Sequence, residues 1–268
     1  MACEICKPEE AQVVPELIVD HVTLTFGGLN ALTDVSLRIL ENGITSIIGP
    51  NGAGKTSLLN CISGFYQPTK GEIRFGNQKV SGSSPHAVTK LGIARAFQNL
   101  ELFRGLSVVE NLMLARHLNF KYNIFEAALH YGKAQREESE NRAYVEEIID
   151  FMELEEHRKH AVGTLSYGIQ KRVEVARALT LGPKLLLLDE PMAGMNVSEK
   201  EDMVRFVLDI VNERNIAVVL IEHDLGVVMD ISDAINVLDF GLLIASGEPA
   251  EVAAHPKVIE AYVGAEAA

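Results

Sequence analysis

Long apolar runs are missing from this chain. None approaches the ~18 residues that a membrane-spanning helix requires, and the N-terminus carries acidic residues where a secretion signal has its apolar core. The expectation is a chain that neither crosses a membrane nor leaves the cell by itself. Cysteine is scarce, at three residues in 268. Cys3 and Cys6 have the spacing of a metal-binding pair, but Cys61 lies far off and no second pair completes a zinc site, so reduced thiols are expected. Basic residues are outnumbered, with 24 Lys and Arg against 37 Asp and Glu and a formal net charge of −13. A dedicated nucleic-acid binder needs a basic surface to displace counterions from phosphates, so no nucleic-acid partner is expected. Repeats and low-complexity segments are also absent. The 47% hydrophobic and 23% charged composition fits a globular chain with one large or two modest cores.

What the chain does have is Gly49-Pro50-Asn51-Gly52-Ala53-Gly54-Lys55-Thr56, two glycines flanking four free positions and followed by lysine and a hydroxyl residue. A β-branched apolar run, Ile44 to Ile48, precedes it, and Ser57 to Ile62 reads as a helix, so the loop joins strand to helix. Glycines there let successive N–H groups converge on one anion, and the helix adds the positive end of its dipole. Lys55 would reach β- and γ-phosphate oxygens, and the Thr56 hydroxyl would hold a magnesium ion bridging them.

Around this loop the texture changes along the chain. Residues 1–15 hold charge, two prolines and little apolar pattern, and read as a mobile tail. Leu17 to Phe26 and Val35 to Ile39 alternate as antiparallel strands, and Gly71 to Gly76 reads as a further strand. Val108 to His117 and the charge-rich stretch Lys133 to Glu155 are helical in character, which suggests an inserted helical subdomain. Leu185 to Leu188, Ile216 to Ile221 and Ile235 to Leu238 are short apolar runs between helix-like segments, as in buried parallel strands.

Leu185 to Leu188 ends in Asp189 and Glu190, which places two acids at the carboxyl edge of the sheet, where such folds keep ligands. Asp189 suits the water shell of magnesium, and Glu190 suits orienting or deprotonating an attacking water. Leu165-Ser166-Tyr167-Gly168-Ile169-Gln170 opens another helix with a hydroxyl-and-glycine turn, a second start capable of binding an anion. Asp239-Phe240-Gly241 spells the magnesium tripeptide of protein kinases. The kinase glycine and catalytic loops are absent, so it reads as a strand ending in a turn.

Taken in order, these motifs resemble the ATP-binding cassette (ABC) ATPases. The resemblance spans nearly the whole chain and implies an α/β fold: a P-loop core with an antiparallel β subdomain and an inserted α-helical subdomain. It implies a tail over 1–15, catalytic core over 16–98 and 166–250, helical subdomain over 99–165, and a C-terminal helix over 251–268. It further implies that Ser166 and Gly168 touch the γ-phosphate of a nucleotide held by the opposite subunit, although Tyr167 and Ile169 depart from the usual Leu-Ser-Gly-Gly-Gln. By the same resemblance Gln98 senses magnesium, His223 bonds the γ-phosphate, and Phe26 stacks on adenine. Asn196 stands where many relatives have aspartate.

The implied cofactors are ATP and Mg²⁺. The implied partners are integral membrane permease subunits, a second cassette (a copy or a paralogue) and, indirectly, a solute-binding protein, with this chain peripheral on the cytoplasmic face of the membrane. Phe26 to Leu32, Gly64 to Thr69, Ala193-Gly194-Met195-Asn196 and the closing Ala261-Tyr262-Val263-Gly264 look like the ATPases of branched-chain amino-acid importers. Urea or amide importers, lipopolysaccharide exporters and soluble non-transport cassettes are the alternatives.

Overall fold

A computed structural model describes residues 15–98, 100–116 and 131–266. The expected tail over residues 1–14, with Cys3 and Cys6, lies outside the described residues, as do Asn99 and residues 117–130 of the helical stretch.

Two sheets organise the chain. The first is antiparallel, built from β1 (Leu17–Phe26), β2 (Leu29–Ile39), β4 (Lys70–Phe75) and β5 (Gln78–Lys79) in the order β2-β1-β4-β5. Its inward residues, among them Leu17, Val19, Val35, Leu37 and Ile73, pack over α1 (Lys55–Ile62) in one core. The second sheet contains β3 (Ile44–Ile48), β6 (Ile93–Ala96), β7 (Leu185–Asp189), β8 (Ala217–Ile221), β9 (Ala234–Asp239) and β10 (Leu242–Gly247), in the order β10-β9-β3-β8-β7-β6. All its pairings are parallel except β9 with β10.

The leucine run of β7 shows why such a strand is apolar throughout. Leu185 and Leu187 enter the core beneath the antiparallel sheet, whereas Leu186 and Leu188 enter the core under the helices. Successive side chains of a strand point to opposite faces, and here both faces are covered. Each fully buried leucine contributes about 1.5–3 kcal/mol.

The helical core is completed by α3 (Val108–Arg116), α4 (Tyr131–Phe151), α5 (Tyr167–Leu179) and α6 (Val197–Arg214). α2 (Pro85–Lys90) precedes β6. A third core forms where α7 (Leu225–Ile231), α8 (Pro249–Ala253) and α9 (Pro256–Glu266) pack on β3 and β9 through Ile48, Val228, Val237, Val252 and Val258. Helix α4 ends earlier than the charge pattern through Glu155 suggests. Glu153 turns to a φ of +51°, and Glu155–His157 continues only as a 3₁₀ turn.

In chain order the strands run from β3 across to β6 and then back through β7 and β8 to β9. The carboxyl ends of β3, β7 and β8 therefore open side by side, at the edge where parallel α/β sheets bind ligands. No described helix is long and apolar enough to cross a membrane.

Candidate nucleotide site

The phosphate loop leaves β3 at Ile48 and enters α1 at Lys55. Glycine is required at its first position. Gly49 has a φ of +148°, and a Cβ there would run into the Leu238 carbonyl. Gly54 caps α1 in the left-handed region with no side-chain hydrogen bond, and the first turn holds no acidic residue. The positive end of that helix is thus left for an anion. Lys55 is buried, and its Nζ donates to the carbonyls of Gly49 (2.7 Å) and Pro50 (3.0 Å). Burial pulls its pKa below the usual lysine value, while the charges of Glu190 and Asp189 oppose that shift.

These residues wall a cleft of about 450 Å³. Asn51, Gly52, Ala53, Gly54, Lys55, Thr56 and Ser57 line it from below, Leu29 to Ala31 from the hairpin, and Glu190, His223 and Phe240 from across. Phe240 was not expected there. Asp239-Phe240-Gly241 is indeed the turn between β9 and β10, but its φ of +43° throws the ring outward, 85% exposed, at the rim of the cleft.

The two carboxylates ending β7 part company at once. Asp189 stays in the strand, and its Oδ2 accepts from Arg95 Nη2 at 2.6 Å while Oδ1 is buried without a partner. Glu190 leaves the strand with a φ of +51°, in the left-handed region that is costly for a residue with a Cβ. That turn brings its side chain between two partners. Gln98 Nε2 donates to Oε2 at 2.7 Å, and His223 Nε2 lies 2.6 Å from Oε1. Gln98, Glu190 and His223 are therefore joined at one mouth.

Other expected residues lie elsewhere. Phe26 is half-exposed at the end of β1 with its ring edge-on to Tyr66, 5.1 Å between centroids, and does not line the cleft. Ser166 and Gly168 do not line it either. Ser166 caps α5 by accepting from the Ile169 N–H, and a Cβ on Gly168 would meet the Glu199 carboxylate. Asn196 forms a capping box with Glu199 at the start of α6, a role asparagine fills as well as aspartate.

Buried charged residues near the cleft that the sequence does not single out include Arg95, Lys171 and Glu222. Arg95 has been described. Lys171 donates to the carbonyls of Gln98 (2.7 Å) and Glu190 (3.3 Å), and burial lowers its pKa. Glu222 accepts from the N–H groups of Met192 (2.8 Å) and His223 (3.2 Å), tying the segment after β7 to the segment after β8. Burial raises its pKa above the usual glutamate value. Arg95 carried the clearest signal, a charge inside the apolar strand Ile93-Ala94-Arg95-Ala96, which demands a partner. Glu222→Ala is expected to cost about 1–3 kcal/mol for each N–H left unpaired in the interior. Thermal denaturation would show a fall in Tm of roughly several degrees, and Glu222→Gln would lose less.

The phenol of Tyr262, on α9, packs beside β3 and takes a backbone hydrogen bond from Gly49, with burial pushing its pKa up to about 12. The C-terminal helix thus touches the first residue of the phosphate loop.

The family profile described as ABC transporter matches residues 32–193. The chain belongs to the ABC transporter family. A second profile, branched-chain amino acid ATP-binding cassette transporter, matches residues 243–268, the segment that carries Tyr262. The cassette is 40% identical over 250 residues to BraF of Pseudomonas aeruginosa, a high-affinity branched-chain amino acid transport ATP-binding protein, covering 93% of this chain and 98% of BraF. Its fold matches the ADP conformation of MJ1267, an ATP-binding cassette of an ABC transporter, with a TM-score of 0.80 and 32% identity over 93% of this chain and 99% of that one. It also matches the dimeric bacterial cassette MJ0796, with a TM-score of 0.73 and 28% identity over 87% and 98% of the two chains. The cassette is an ATP-binding ATPase of this family.

Magnesium fits the residues present. Among the described residues no group of three or more His, Cys, Asp or Glu forms a protein cage, and Mg²⁺ seldom uses one. It binds through one or two carboxylates, waters and substrate phosphates. The buried, unpartnered Oδ1 of Asp189 and the exposed Thr56 at the head of α1 suit that pattern.

Proposed function

We propose that this cassette hydrolyses ATP to drive uptake of branched-chain amino acids through separate membrane subunits, working from the cytoplasmic face of the membrane. One observation carries the chemistry: Glu190, held between Gln98 and His223, faces Lys55 across the phosphate-loop cleft. On ATP binding, Lys55 exchanges the Gly49 and Pro50 carbonyls for β- and γ-phosphate oxygens, and the loop N–H groups of residues 51 to 57 take the remaining phosphate charge. Glu190 accepts a proton from the attacking water, and Gln98 and His223 fix its orientation. In this reading His223 also donates to the γ-phosphate. Thr56, Asp189 and Gln98 would hold magnesium together with the nucleotide, and the ion would supply positive charge against the phosphates there. Phe26 offers a π-face for adenine beside the cleft residues Leu29 to Ala31.

Ser166 and Gly168 have no place on this cleft, which supports their use by a second cassette, a copy or a paralogue, closing head to tail. In this reading residues 16–98 and 166–250 are the catalytic core, and 99–165 the helical part that meets the membrane subunits. A groove of about 660 Å³ between them, walled by Phe65, Phe97, Phe103 and Leu114, suits an apolar helix from such a subunit. The branched-chain substrate rests on the likeness to BraF and on the C-terminal segment.

The test is affinity capture of the tagged chain from detergent-solubilised membranes, followed by uptake of labelled leucine, isoleucine and valine in cells lacking it. The expected result is co-purified polytopic subunits and lost uptake. Soluble partners alone would point to a non-transport cassette, and intact leucine uptake with lost urea or amide uptake would reassign the substrate.

A further inference from the structure

We propose that Arg95 is a positioning residue that holds Asp189 in the setting from which it serves the magnesium of bound ATP. This rests on the assignment of Asp189 and Thr56 given above.

Arg95 sits on β6 beside β7, with Ala94, Arg95 and Ala96 opposite Leu186, Leu187 and Leu188. Its guanidinium is fixed on several sides. Nη2 donates to Asp189 Oδ2 at 2.6 Å, and Nη1 donates to Asn60 Oδ1 at 2.7 Å and Ser63 Oγ at 3.3 Å. The Phe97 ring lies 4.9 Å from its central carbon. Both side chains of the ion pair are nearly sealed from solvent, Arg95 at 6% and Asp189 at 1% exposure.

Asn60 belongs to α1, the helix whose first turn carries Lys55 and Thr56, and Ser63 is its C-terminal cap. One planar cation therefore ties the phosphate-loop helix to the carboxylate at the end of β7. Because Arg95 occupies Oδ2, the carboxylate cannot rotate freely, and Oδ1 is left as the one oxygen without a partner. An acid whose only purpose was to neutralise Arg95 would not need the additional anchors from Asn60 and Ser63. Those anchors set the plane of the guanidinium, and through it the plane of the carboxylate. A lysine ammonium is a point charge and cannot span Asp189 and Asn60 with the same fork. Residues that orient a metal-binding group from behind commonly change metal affinity when altered.

The experiment measures equilibrium binding of fluorescent ATP to the purified transporter complex, with excess Mg²⁺ and with a chelator, for wild type, Arg95→Lys and Asn60→Ala. In Arg95→Lys the metal-free affinity is expected to stay within about twofold of wild type, while the tightening produced by Mg²⁺ falls about 10-fold or more. Asn60→Ala, which removes one anchor and leaves the ion pair, is expected to show the same pattern at smaller size and keeps the test available if Arg95→Lys does not fold. An unchanged Mg²⁺ effect in a folded Arg95→Lys overturns the proposal. So does an equal loss of affinity with and without metal, which marks a structural role. If Lys55→Ala leaves ATP binding intact, the nucleotide-site reading itself fails and takes this inference with it.

Discussion

Glu190→Gln is expected to lower ATP turnover by about 10²- to 10⁴-fold, the usual contribution of a positioned general base, while leaving ATP binding in place. The substitution is nearly isosteric. Glutamine can still accept from Gln98 through its amide oxygen and can face His223 with the other end, so the bridge that shapes the cleft mouth survives. What disappears is the carboxylate proposed to take the proton from water. The variant should therefore hold ATP without turning it over, and a second cassette should remain closed on it. Single-turnover hydrolysis separates this outcome from a binding defect. Retained steady-state activity would remove Glu190 from the role assigned to it. His223→Ala serves as a partner experiment, since it removes the contact to Oε1 and leaves Glu190 held by Gln98 alone.

Lys55→Ala should act on binding first. The amine is buried and satisfied by two loop carbonyls, so its loss affects both the empty loop and the phosphates proposed to replace those carbonyls. A hydrogen bond to a charged group contributes about 1.5–3 kcal/mol, which corresponds to a loss of about 10- to 150-fold in ATP affinity for a single such contact. Contacts to both the β- and γ-phosphates would make the loss larger. AMP, which has neither phosphate, should bind wild type and variant alike. Removing the amine leaves the buried Gly49 carbonyl without its donor, so a modest fall in Tm of a few degrees at most is expected beside the binding loss. A large fall in Tm would instead make Lys55 a structural lysine.

Much of this site could be read from contiguous residues. The phosphate loop occupies consecutive positions, and its two flanking elements betray themselves by β-branched and helical patterns within a few residues of it. The same holds for Asp189 and Glu190, because a four-leucine strand buried on both faces announces where the acids emerge. Long-range pairs were not legible in the same way. Arg95 and Asp189 are 94 positions apart, and they meet only because β6 lies next to β7. Lys171 reaches back 73 positions to the Gln98 carbonyl, and Glu222 reaches 30 positions to the Met192 N–H. Each is a buried charge whose sequence neighbours say that it needs a partner but not which one.

Phe240 illustrates a different limit. The turn at Asp239-Phe240-Gly241 was foreseeable, but its exposed ring at the cleft depends on the positive φ of Phe240 and on β9 standing next to β3. Phe26 was nameable only through resemblance, since its edge-on contact with Tyr66 beside the cleft depends on the fold; its stacking on adenine stays a proposal.

The most direct test of the composite site is specific ATPase activity of the isolated chain as it is diluted from micromolar to nanomolar concentration. If Ser166 and Gly168 must come from a second cassette, activity per molecule falls toward zero on dilution while ATP binding persists, and it returns when a second cassette is supplied. Activity per molecule that stays constant through the dilution would mean that one chain holds a complete site, and would contradict the account.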